Sequence, residues 1–218
     1  MIEFLLKGVG PKEVIAFFTA VAAGIFALWR WTIDQRWRRV QYAHGLIKEF
    51  MAKENTIKAF QMLDSAREID LFPDEKNDKD RYVFVDDEIL KASLKTFDEQ
   101  TSFPPREFAI RNIFDEFFTD LSAFQHHIDA KLLKLNDIKP YLEYWIKSIN
   151  GYGQVYDDDL ARQINKFLAS FDYHAVIRLS DSMGYPLVGQ DACNRQDVSH
   201  ASKTKKRRLA PTKNPQKR

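Results

Sequence analysis

Sixteen consecutive residues from Val14 to Trp29, VIAFFTAVAAGIFALW, carry no charge. As a helix the run is roughly 24 Å long, short of the ~30 Å hydrocarbon layer of a bilayer. Extension to Ile33 brings the span to about 30 Å and takes in Arg30, close enough to the end for its side chain to reach the headgroups. Trp29, Trp31 and Trp37 fall where an aromatic belt is expected. Eight Val, Ile, Leu and Phe residues in Val14–Leu28 favour insertion by roughly 2–5 kcal/mol in total. The expectation is a transmembrane helix over residues 14–33, preceded by a short extracytoplasmic head, residues 1–13.

Two rival readings fit less well. A cleavable signal would place a small-residue motif after the apolar run, yet Ala20-Val21-Ala22 lies inside it. Arg30, Arg36, Arg38 and Arg39 follow at once and would hinder translocation of what comes next. A buried helix of a soluble protein is the second rival. The arginines also set orientation. Lys7 and Lys12 balance Glu3 and Glu13 on the other side, so the expected topology is single-pass in a bacterial inner membrane, N-terminus outside and C-terminal side cytoplasmic. Trp29, Arg30, Trp31, Arg36, Trp37, Arg38 and Arg39 are the expected interface residues. Within the span Ala16, Ala20 and Gly24 repeat every four residues, with Ala23 and Ala27 one row away. That small-residue face lets two helices approach closely and suggests a homo-oligomer.

The net charge of +2 hides three segments. Residues 1–39 hold six Lys/Arg against three Asp/Glu, residues 40–197 hold 19 against 28, and residues 198–218 hold eight against none. An acidic globule is thus flanked by basic ends, which favours a polyanionic surface at the ends only. Seventeen Phe, eight Tyr and four Trp supply a packed core, while a single Cys excludes a disulfide framework.

Past the span the pattern is helical. No Gly or Pro interrupts the chain from Trp31 to Gly45, so the span is expected to run on as a juxtamembrane helix bearing Val40, Ala43, Leu46, Ile47 and Phe50. Asn55 is the expected N-cap of a helix carrying Ile57, Phe60, Leu63 and Ala66, and Asp70–Arg81 reads as a polar loop. Tyr82–Val85 is a short extended piece without a visible partner strand, and Asp86-Asp87 cap a helix to about Lys95. Pro104-Pro105 open the longest cytoplasmic helix. Its seam of Ile110, Phe114, Phe117, Leu121, Phe124 and Ile128, widened by Phe108 and Phe118, suits the core of a bundle better than a coiled coil. Asn136-Asp137 cap the next helix, which ends at Asn150-Gly151. Asp157–Asp159 open another, and a last runs from about Asp172 to Gly184. The expected fold class is all-α: one N-terminal transmembrane helix, then residues 34–184 as juxtamembrane helix and cytoplasmic bundle of about six helices. Residues 185–218 read as a disordered basic tail. Lys203, Lys205, Lys206, Arg207, Arg208, Lys213, Lys217 and Arg218 either only solubilise the chain, with no specific partner, or meet an anionic lipid surface or, less favoured, nucleic acid.

The chain shows no signature of catalysis. Gly8-Val9-Gly10 is no phosphate loop, and Cys193 lacks a second thiol. His126 and His127 are adjacent and point about 100° apart on a helix. Neither a catalytic set, a metal set nor a cofactor site is expected. A carboxylate- and histidine-dependent enzyme around His126 and His127 is the weakest of three readings.

The basic membrane exit and following helix, Arg39–Leu71 with Phe60, Met62, Leu63 and Asp64, resemble a group of uncharacterised bacterial proteins with one N-terminal anchor. The block RNIFDEFFTDLSAFQHHID, Arg111–Asp129, and KPYLEYWI, Lys139–Ile146, are similar to that group's Phe-rich helix and Tyr-x-x-Tyr-Trp helix. Some of its members carry the label of phage abortive infection. The resemblance implies a membrane-anchored helical protein, with a phage-defence or stress role, and assigns no functional residue. The leading expectation is therefore a non-enzymatic interaction module for an unidentified cytoplasmic protein partner. A membrane-perturbing effector that oligomerises through its span is the alternative.

Overall fold

Pro11 lacks an N–H and is pre-set near helical φ, and it is the first helical residue of α1, Pro11–Ala52. No second proline occurs before Pro73, and α1 continues for 42 residues, about 63 Å at 1.5 Å per residue. The computed structural model describes residues 11–152 and 158–187. The chain divides into two units, residues to Lys48 and residues from Glu49 onward. In the first, the apolar side chains of the span lie on the outside: Ile15, Phe17, Phe18 and Leu28 are each about two-thirds exposed. Thr19 and Thr32 donate their hydroxyls to the Ile15 and Trp29 carbonyls at 2.9 and 2.7 Å, so neither needs an outside partner.

The second unit has the opposite arrangement. It comprises α2 (Glu54–Asp64), β1 (Arg67–Asp70), α3 (Asp78–Arg81), β2 (Tyr82–Val85), α4 (Asp87–Ser93), α5 (Pro105–Asp129), α6 (Leu135–Ile149), α7 (Asp158–Ser170) and α8 (His174–Met183). The axis is α5, which packs against α2, α4 and α8. Its seam behaves as a core stripe: Ile110, Phe114, Phe117, Phe118, Leu121 and Phe124 are all buried. Burying each such side chain contributes roughly 1.5–3 kcal/mol. Phe50, Phe60, Phe117 and Phe124 form one aromatic cluster with centroid spacings of 5.3–5.9 Å, and Trp145 of α6 stacks on Phe60 at 3.7 Å.

Local signals explain the helix ends. The Asp86 carboxylate accepts from the Ile89 N–H at 2.9 Å, and the Asp137 carboxylate accepts from the Lys134 N–H at 3.0 Å. Gly151 and Gly184 take φ of +74° and +93° where α6 and α8 stop.

The structure departs from the sequence expectation at several points. Arg67–Asp70 is not loop or helix end but a strand, paired antiparallel with Tyr82–Val85 from Arg67↔Val85 to Asp70↔Tyr82. The pairing buries Ile69 and Val85, and the Asp70–Arg81 ion pair, with Arg81 Nε 2.9 Å from the carboxylate, ties its turn end. A charged partner strand, Arg-Glu-Ile-Asp, concealed the pair. Asn55 lies inside α2, whose N-cap is Lys53; the Asn55 amide is taken up by Glu116 instead. Phe108 is more than half exposed and does not widen the seam. Packing also continues beyond Gly184. Leu187 is buried, Tyr185 donates to Glu143, and Tyr152 donates to the Pro186 carbonyl at 3.0 Å, so residues 185–187 belong to the helical unit. Residues 11–13 of the expected head belong to α1, while residues 1–10, Asp157 and the basic residues from Lys203 to Arg218 lie outside the described residues.

Candidate functional site

Helix α1 is long and apolar enough to cross a membrane, and none of its apolar window is buried. A water-facing surface this apolar costs free energy at every exposed side chain. Ala16, Ala20, Ala23, Gly24 and Ala27 are all exposed. A Cβ built on Gly24 meets nothing within 4 Å among the described residues beyond its own stretch of helix. Trp29, Trp31 and Trp37 are about 60% exposed. Arg30, Arg36 and Arg38 are exposed and Arg39 half-exposed. Arg38 Nε bonds the Asp34 carboxylate one turn away at 2.8 Å.

Two grooves among the described residues of the second unit are lined by charged and polar residues. The first, of about 530 Å³, lies between the start of α2 and the middle of α5 and is lined by Lys53, Glu54, Asn55, Asp115, Glu116, Thr119 and Asp120. Lys53 reaches Asp120 at 2.7 Å, and that carboxylate raises its pKa. Burial pushes the Asp115 carboxyl up, against a hydrogen bond from the Tyr173 hydroxyl at 3.0 Å. Burial and Asp115 together push Tyr173 up to about 12. The groove thus offers carboxylates to a cationic group, with one lysine already among them. The second groove, about 520 Å³, runs along α4 and α7 and is lined by Glu88, Lys91, Lys95, Glu99, Asp159, Arg162 and Lys166 among others. Glu99 is its hub. The Lys166 ammonium at 2.6 Å and the Thr96 N–H at 2.9 Å hold its carboxyl down at about 2.

Sequence reasoning missed Arg111. It is 4% exposed, and its guanidinium carbon lies 4.8, 4.8, 4.9 and 4.5 Å from the ring centres of Phe97, Phe103, Phe167 and Phe171. Nη1 donates to the Lys95 carbonyl at 2.7 Å at the end of α4, while Nη2 is buried without a hydrogen bond. Burial lowers its pKa against the pull of Asp115. The available signal was a lone charge set between Ile110 and Phe114 on an otherwise apolar stripe.

The two histidines do not converge on a site. His126 is exposed and His127 half-buried, and neither lines either groove. Among the described residues no group of three or more His, Cys, Asp or Glu is placed to hold a metal ion. Asp158 is the first residue of α7, and Asp159 pairs with Arg162 in the same helix. Comparisons with protein-family models, with curated proteins and with solved structures find no match to this chain.

Proposed function

We propose that the chain is a non-enzymatic, membrane-anchored helical interaction module. In this reading α1 crosses a bacterial inner membrane over residues 14–33, with the N-terminus outside and the helical unit in the cytoplasm. The observation that carries it is the contrast in burial: Phe114, Phe117, Phe118 and Phe124 of α5 are buried, whereas none of the apolar window of α1 is. A bilayer removes that surface from water. Anchoring confines the acidic helical unit to a thin layer and raises its effective concentration for membrane-bound partners. The resemblance of Arg111–Asp129 and Lys139–Ile146 to anchored proteins labelled for abortive infection extends the proposal to phage defence.

Fractionation with protease access tests the anchor and its orientation together. Retention of the full chain in membranes after alkaline carbonate, with the helical unit digested only in inverted vesicles, is the expected result. Recovery in the soluble fraction, or digestion from the periplasmic side, would sink the reading.

A second reading, a membrane-perturbing effector, draws on the exposed Ala16/Ala20/Gly24 face. It expects overexpression to be toxic and Gly24→Ile to abolish the toxicity; unchanged toxicity removes it.

A further inference from the structure

The chain has 19 Lys and 14 Arg, yet all four cations between Trp29 and Val40 are arginine: Arg30, Arg36, Arg38 and Arg39. A general attraction to a negative surface needs only charge, which lysine supplies equally well. Arginine differs in presenting a planar fork of donors that binds a phosphate through two parallel hydrogen bonds, and in being less tightly hydrated. From Arg30 to Arg39 is nine residues, about 13 Å along the axis. That spans the polar zone of one leaflet, taken as half the difference between a ~30 Å core and a 40–45 Å bilayer, and some way beyond it. At 100° per residue Arg36 stands about 120° from Arg30 and about 160° from Arg38, so the guanidiniums surround the helix instead of sharing one face. Asp34 is the one acidic residue in the sequence between Trp29 and Val40, and it engages Arg38 through Nε at 2.8 Å. Trp31 and Trp37, each about 60% exposed, complete a ring suited to the headgroup layer.

We propose that this arginine collar binds the phosphates of anionic glycerophospholipids, so that such lipids are enriched around α1. The proposal rests on the membrane reading of α1 and adds a lipid class to it.

The test uses the full chain in phosphatidylcholine vesicles holding equal fractions of phosphatidylglycerol. One of the two lipids is brominated, and quenching of tryptophan fluorescence is read. Trp145, stacked on Phe60, adds a baseline common to both arms. The expected result is quenching by brominated phosphatidylglycerol at least about threefold more effective than by brominated phosphatidylcholine. Arg36→Gln/Arg38→Gln should bring the two close to parity. Arg36→Lys/Arg38→Lys keeps the charge that orients the helix and should lose at least half of the preference. Parity in the unaltered chain overturns the proposal, as does full preference in either variant, which would assign the lipid bias to charge alone or to the basic residues from Lys203 to Arg218. Carbonate extraction of the same vesicles separates the two layers of the argument. Release of the protein overturns the anchor and the collar together, while retention with parity overturns the collar alone.

Discussion

Arg111 brings a guanidinium into the core without a carboxylate bonded to it, which ordinarily costs several kcal/mol per ion. Four phenylalanine faces and a carbonyl at the end of α4 offset that cost here. Both contributions depend on the flat, forked head. Arg111→Lys, with the charge kept, is therefore expected to lower stability by about 2 kcal/mol in urea unfolding of the detergent-solubilised chain; a loss below a few tenths would show that charge alone suffices.

Glu99 gives a pH dependence of known sign. Its folded pKa of about 2 lies below the ordinary 4.5, so the unfolded chain takes up the proton first as pH falls. The stabilisation is fully present above about pH 4.5 and is lost between there and pH 2. The residue is exposed enough for water to screen the interaction, and about 1 kcal/mol is expected. Glu99→Gln should remove that part of the acid sensitivity, seen as a smaller shift of the urea midpoint between pH 6 and pH 3.

At the scale of elements, two glycines in left-handed backbone separate conformation from space. Gly184 has φ of +93° with open room around a Cβ, whereas at Gly151, φ +74°, the added atom would come within 2.8 Å of the Ala161 Cβ on α7. Gly184→Ala pays backbone strain alone, about 1 kcal/mol. Gly151→Ala adds overpacking between α6 and α7, for a total of about 2–4 kcal/mol. Thermal unfolding followed by circular dichroism should rank the two in that order, and equal losses would mean that α7 gives way freely.

These helix ends were legible because glycine and proline punctuate helices through their own geometry, Pro104-Pro105 at a start and Gly151 and Gly184 at stops. The α5 seam was legible because six apolar residues recur at a spacing only a helix satisfies. What the chain concealed depends on partners distant in sequence. Arg67–Asp70 becomes a strand only because Tyr82–Val85 lies beside it, and a strand with three charges in four residues gives no alternation to read. Arg111 is likewise explained by Phe167 and Phe171, some 56 and 60 residues away.

On the scale of the whole molecule, charge and apolar surface divide the work. On the membrane reading proposed above, an anionic lipid surface repels residues 40–197, which carry nine more acidic than basic groups, while the arginines of α1 and the eight basic residues from Lys203 to Arg218 are drawn to it. Helix pairing in lipid gains nothing from hydrophobicity and depends on close backbone approach, for which Ala16, Ala20 and Gly24 leave room. Because a Cβ at Gly24 meets nothing within 4 Å among the described residues beyond its own stretch of helix, Gly24→Ile is expected to change what a second helix encounters and to leave the helical unit as it was. The expected outcome is a chain that cross-links to itself in membranes before the substitution and does so several-fold less after it. The melting of the helical unit should stay within experimental error. Equal cross-linking in both chains would move self-association away from this face. A lowered melting temperature would instead mean that the substitution disturbs the fold.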